Sequence, residues 1–195
     1  MRLLCGAMAR EDMGMAMRWS EISARQPALG AIAERLLIEP GVLLAGTIRR
    51  DGTARISGVE PLVLDGELWL SMMSGSAKSR DLGRDPRIVL NSVITSPNPP
   101  AEIKVRGTVR PVTAQERQER YAAAVRDQIG WQPVVGQFTL FIVEVGDITY
   151  IGSEPETGAQ HVAQWPPGKE YIRPQLTPTS LAPPQPVSRL LAPDP

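Results

Sequence analysis

The sequence predicts a mainly β protein: an antiparallel barrel of about six strands, a few flanking helices and a proline-rich C-terminal tail. Three observations carry this. Apolar residues change from helical to alternating spacing after Pro40, Asp51-Gly52 and Asp65-Gly66 punctuate the alternating runs, and nine of the last thirty residues are proline. Strands joined in sequence by tight turns, with few helices among them, favour a small closed or nearly closed barrel.

The elements follow in order. "SEISARQPALGAIAERLLIEP" reads as helix from Ser20, broken at Pro27, with Leu29, Ile32, Ala33, Leu36 and Leu37 on one face and a stop at Pro40. "VLLAGTIR", "ARISGVEPLVL" and "ELWLSMM" are three strands separated by the two Asp-Gly turns, an antiparallel meander. "KSRDLGRD" is long enough for a short helix ended by Pro86, and "RIVLNSVI" is a further strand. After a loop at "NPP", "AEIKVRGTVRPV" alternates like a strand exposed on one side. Thr113 with Glu116 reads as a capping box for a helix running to about Gln128, with Gly130 as its stop. "TLFIVEVGDITYIG" supplies the closing strand or strands. Residues 19–165 are the expected folded domain. Residues 1–18 are read as an N-terminal extension, disordered or a mis-assigned start with Met17 as the alternative. Residues 166–195 are read as an extended tail, dispensable for folding beyond Pro174 because proline cannot donate to a ladder.

Composition bounds the function. Twenty-one basic and twenty-one acidic residues leave no basic excess, which argues against a general nucleic-acid binder. No apolar run approaches the length of a membrane helix, and the single cysteine, Cys5, allows no disulfide framework, so a soluble cytoplasmic protein is expected. His161 is the only histidine, and no metal-binding, nucleophile-elbow, Rossmann or P-loop spacing occurs; a solvated loop side chain is the expectation for it. No metal site is expected. The informative stretch is "SGSAKSRDLGRDPRIVLNS", Ser74 to Ser92. Hydroxyls, a flexible backbone and Lys78 at the start of a helix are what a phosphate requires, and Arg55, just after the first Asp-Gly turn, can reach the same mouth. The competing reading is a surface helix with solubilising charges.

The run from Ile32 to Val145 resembles the pyridoxamine 5′-phosphate oxidase-like family, the FMN-binding split barrels. The most specific likeness is the small-residue turn with Lys78 followed by "DLGRDPRI", and the strand pair around Asp51-Gly52 also fits. The resemblance implies a six-stranded split barrel and a homodimer with FMN, or in many relatives a deazaflavin coenzyme of the F-420 type, at the interface. Carried across, the family's contacts fall on Arg55, Ser76 and Lys78 for the phosphate, with Ser79 and Arg80 as auxiliary donors, and on Ser71 or Met72 against the ring. Trp165, Trp131 and Trp69 are candidate covers for the ring, Trp165 foremost, whereas Trp69 sits in an alternating strand that suits core or dimer interface better. Glu60 stands where the oxidases carry a second lysine, Glu102 is the nearest match to their glutamine, and their C-terminal Arg and His motif is not recognisable. These departures argue against pyridoxamine phosphate as substrate. A flavin- or deazaflavin-dependent oxidoreductase on an unidentified small molecule is therefore expected, with a non-enzymatic flavin- or heme-binding protein, or a barrel that has lost its cofactor, as the alternatives.

Overall fold

A computed structural model describes residues 16–93 and 100–192. Two short helices, α1 (Trp19–Arg25) and α2 (Pro27–Ala33), lead through a π-helical turn (Glu34–Ile38) into strand β1 (Leu43–Ile48). Pro27 occupies the first turn of α2, where its missing N–H costs nothing. β2 (Ala54–Val59) returns antiparallel to β1, in register from Ile48↔Ala54 to Leu43↔Val59. The run expected as one strand then divides at Glu60: β2 pairs with β1, whereas β3 (Pro61–Leu64) pairs with β4 (Glu67–Met73). The second turn carries positive φ at both Asp65 (55°) and Gly66 (75°), the left-handed pair that a tight hairpin requires. A Cβ on Gly66 would also lie 2.7 Å from the Ser20 hydroxyl of α1.

Helix α3 (Ala77–Arg84), β5 (Arg87–Ser92), β6 (Ala101–Pro111), α4 (Gln115–Ile129) and the sixteen-residue β7 (Phe138–Ser153) complete the barrel. Antiparallel pairing runs β1–β2, β3–β4, β4–β7, β7–β6, β6–β5 and β5–β1, so the bent β2–β3 segment links the two ends of the circuit. This is the six-stranded antiparallel split barrel that the sequence predicts. Leu43, Ala45, Leu68, Leu70, Leu90, Ile103, Val105 and Val143 fill its interior.

The two ends of β4 show how the barrel is closed. At its start, Ser20 N–H of α1 donates to Gly66 O (2.9 Å), and Trp19, Ile22, Leu29 and Leu37 join the interior cluster. At its finish lies α3, whose Leu82 enters the same cluster. Helix α4 covers the outer face of β4 and β7, where Trp69, Tyr121, Val125, Phe138 and Ile142 form a second core. The expected capping box is not formed: Ala114 is the N-cap and makes no side-chain bond, while Gly130 (φ 73°) ends the helix as anticipated.

The segment read as an unpaired tail is a correction to that reading. β7 continues beyond the barrel to pair with β8 (Gln160–Trp165), β8 pairs with β9 (Lys169–Arg173), and β12 (Gln185–Pro186) adds to the edge of β9. Between them β10 (Gln175–Thr177) and β11 (Ser180–Leu181) form a separate hairpin. Prolines at an edge strand still offer carbonyl groups, so a proline-rich run can be paired there. At the other terminus, residues 1–15 of the expected extension lie outside the described residues. Met17, read as an alternative start, is a buried core residue whose N–H donates to Val145 O (2.9 Å) and whose carbonyl accepts from Val145 N–H (2.9 Å).

Candidate functional site

The turn after β4 sets the position of α3. Gly75 takes φ 69°, Ser76 N–H donates to Met73 O (3.0 Å), and the Ser76 hydroxyl caps the helix by accepting Ser79 N–H (3.3 Å). Positions 78 and 81 stand one turn apart on α3, so both reach the neighbouring strand β2. Lys78 Nζ donates to Gly58 O (2.8 Å), and Arg55 Nε, from three residues earlier on the same strand, donates to Asp81 Oδ2 (2.7 Å). Arg55 and Lys78 therefore lie along one seam between β2 and α3.

Asp81 is the hub of that seam. It is 4% exposed and accepts from Arg55, from the Thr47 hydroxyl inside the barrel (3.1 Å) and from Arg84 Nη2 (3.2 Å). Loss of water around the carboxylate pushes its pKa up. The hydrogen bonds from Arg55, Arg84 and Thr47 together outweigh that, and the pKa lies below the ordinary value. Arg84 also donates to Ile48 O (2.6 Å), tying the helix to the end of β1.

Outside the seam, between α3 and the β1–β2 loop, runs an open groove of about 650 Å³. Five arginines line it, Arg49, Arg50, Arg55, Arg80 and Arg84, together with Asp51 and Asp81. Arg80 is held by a bond from Nη1 to Gly75 O.

Of the residues expected at the site, Arg55, Ser76, Lys78, Ser79 and Arg80 all fall on the β2–α3 seam or the turn before it, with Arg55 and Arg80 facing the groove. Ser79 is buried. Three expected ring contacts lie elsewhere. Met72 is 2% exposed and belongs to the barrel interior, because alternation along β4 turns Leu68, Leu70 and Met72 inward. Ser71 faces the other way and hydrogen-bonds the Tyr121 hydroxyl under α4. Trp165 is 1% exposed in the main core, with the Arg25 guanidinium 4.9 Å from its ring centre; the returning tail, which the sequence reading left unpaired, helps to cover it. Trp69 stacks at 6.1 Å on Tyr121 in the second core, as its strand position suggested. Asp81 and Thr47 were missed, whereas Arg84 stands in the basic stretch that the sequence singles out. The signal was present for Asp81, one helical turn from Lys78, but none marked Thr47, whose role depends on the barrel bringing β1 under α3.

His161 also differs from expectation. It is half-buried: its Nε2 lies 2.6 Å from Glu170 Oε1, and its ring meets Tyr150 edge-on at 5.9 Å. Glu170 further accepts the N–H groups of Arg189, Leu190 and Leu191 at 2.9–3.1 Å. Burial raises its pKa, but these bonds together with the one to His161 outweigh that and leave it below the ordinary value. This cluster anchors the tail. Among the described residues no group of three or more His, Cys, Asp or Glu side chains is placed to hold a metal, and no helix is long and apolar enough to cross a membrane.

A family model described as pyridoxamine 5′-phosphate oxidase matches residues 30–152. Among solved structures, the chain is similar to a NimC/NimA family protein of Clostridium acetobutylicum, with a TM-score of 0.53 and 18% identity over 67% of this chain and 91% of that one. It is also similar to a conserved hypothetical protein of Mycobacterium tuberculosis, with a TM-score of 0.51 and 18% identity over 73% and 88% of the two chains. At such identities the likeness is one of fold. No curated protein matches the chain.

Proposed function

The chain belongs to the pyridoxamine 5′-phosphate oxidase family, and from that premise we propose that it is a flavin-dependent oxidoreductase holding FMN, or a deazaflavin, by its phosphate at the β2–α3 seam. The observation that carries this reading is the alignment of Arg55 and Lys78 along one seam, beside the capped start of α3. Two cations, a hydroxyl and an α-helix start are a donor set suited to a dianion, so the residues present fit the phosphate end of the cofactor.

The bound flavin or deazaflavin would supply hydride chemistry. The protein's part is seating and orientation. Lys78 is half-buried and its bond to Gly58 O is to a neutral acceptor, so it can turn to an anion at small cost. Arg55 is different: Asp81 already neutralises it, and a phosphate must share that guanidinium with a carboxylate. Each charge-assisted contact contributes on the order of 1.5–3 kcal/mol when sheltered from water. Apolar cover for a ring is available beside the turn. Met73 is 80% exposed, and the loop carrying Trp131 and Val134, both exposed, approaches it where Ser74 N–H donates to Gln137 O (3.4 Å). We extend the proposal to a homodimer. Leu44, Ile56 and Val89 form an exposed apolar stripe on the outer face of β1, β2 and β5, a surface suited to a second copy. A heme carrier is the weaker reading, since the one imidazole is engaged by Glu170.

Absorbance of the purified protein and titration with FMN test the proposal. A flavin band near ~450 nm, or a deazaflavin band near ~420 nm, is expected. Protein that is colourless and leaves FMN fluorescence unquenched at micromolar concentration would falsify it.

A further inference from the structure

Building on that reading, we propose that the arginine groove beside α3 seats a second anionic group, so that the ligand of this protein is an organic polyanion and not a monophosphate alone. The chain as a whole is balanced, with 21 basic and 21 acidic residues, so the excess in the groove is local. Five guanidinium groups there meet two carboxylates. Both carboxylates are already engaged: Asp81 by Arg55 and Arg84, and Asp51 by the N–H (3.0 Å) and hydroxyl (2.6 Å) of Thr53 in its own turn.

Two cations, Arg50 and Arg80, are left without an anion, and a third, Arg49, has only the Asp51 carboxylate of its own turn nearby. Arg49 reaches the Thr53 hydroxyl (3.4 Å), Arg80 reaches the Gly75 carbonyl, and Arg50 has no side-chain partner among the described residues. Arg49 and Arg50 stand on the β1–β2 loop and Arg80 on α3, so the charge lines two walls of the groove. A single phosphate fills roughly 100 Å³, a few waters' worth of space, whereas the groove offers about 650 Å³. Lys78 and Ser76 are not among its lining residues, and Arg55 is. An anion bridging Lys78 and Arg55 would thus leave Arg49, Arg50 and Arg80 for further phosphate or carboxylate groups of the same molecule. Guanidinium forks suit both chemistries.

Calorimetric titration of the intact protein with tripolyphosphate, citrate and orthophosphate tests this, alongside FMN titration of the same samples. Arg49→Ala and Arg50→Ala are the variants; both residues are exposed, so folding is not at stake. Tripolyphosphate or citrate should bind at least ten times tighter than orthophosphate, weaken with added salt, and lose about tenfold in each variant while FMN affinity holds. Preference for tripolyphosphate assigns a phosphate chain, and preference for citrate assigns carboxylates. Polyanions binding no tighter than orthophosphate, or binding the variants as well as wild type, overturn the proposal. Loss of FMN together with polyanion in either variant overturns it too, since the groove would then be the monophosphate's own seat. Polyanion binding without FMN binding supports the groove and removes the flavin; FMN binding without polyanion binding does the reverse.

Discussion

Asp81 governs how freely the seam's cations can meet a ligand, and it separates two substitutions that look equivalent in sequence. Lys78→Ala removes one bond to a main-chain carbonyl, so the denaturation midpoint should stay near wild type while FMN affinity falls about tenfold or more. Arg55→Ala strips a buried carboxylate of its shortest partner, and should cost about 1–3 kcal/mol of stability in addition to weakening FMN. Urea unfolding and fluorescence quenching on both variants check the contrast; equal stability loss in the two would contradict it. Because the pKa of Asp81 is depressed in the fold, its contribution is complete above pH ~4 and is lost as pH falls through the depressed value. Asp81→Asn should therefore flatten the acid limb of the stability profile and leave the neutral plateau's shape alone. A second residue is fixed by space. A Cβ on Gly107 would lie 2.1 Å from Glu144 O at the β6–β7 bulge, so Gly107→Ala should lower stability by about 2 kcal/mol or more. The cations of the seam were legible because lysine and arginine beside small residues stand out. The neutralisation of Arg55 was not, since it depends on a helix laid across a strand twenty-six positions away.

At the scale of elements, the hairpins were legible and the tail was not. Asp51-Gly52 and Asp65-Gly66 act within a few residues, so their turns could be read locally, and alternation then fixed which face of β1, β4 and β5 looks inward. The division of β2 from β3 at Glu60–Pro61 depends on which neighbour each half finds, a long-range matter. Proline content described the tail's extended backbone well, yet its pairing rests on Glu170, whose carboxylate gathers the N–H groups of residues 189–191. Truncation after Pro174 should consequently lower the melting temperature by several degrees and expose Trp165, visible as a red shift of its fluorescence. Unchanged melting would show that the anchor carries no weight. Glu170→Gln keeps the shape but loses the charge, and should cost about 1–3 kcal/mol at pH 7. That difference should shrink as pH falls below ~4, because the depressed carboxyl of the parent protein then takes up its proton as well.

For the whole molecule, a barrel with an apolar outer stripe predicts association. Ile56, 72% exposed at the β2 end of that stripe, is the position to test: Ile56→Asp should convert a dimer to monomer in light scattering without unfolding the barrel, because the side chain touches no core. A monomeric parent protein would remove the prediction. The barrel itself could be read because most of its pairings join neighbours in sequence, whereas its closure through β1–β5 and β4–β7 could only be inferred from strand number. One contact spans farther than any of these pairings. Gln26, wholly buried at the joint of α1 and α2, exchanges two amide bonds with Ala192, its Nε2 donating to the carbonyl (3.1 Å) and its Oε1 accepting the N–H (2.7 Å) across 166 positions. During synthesis those first helices must wait, undocked at that joint, until residue 192 has left the ribosome.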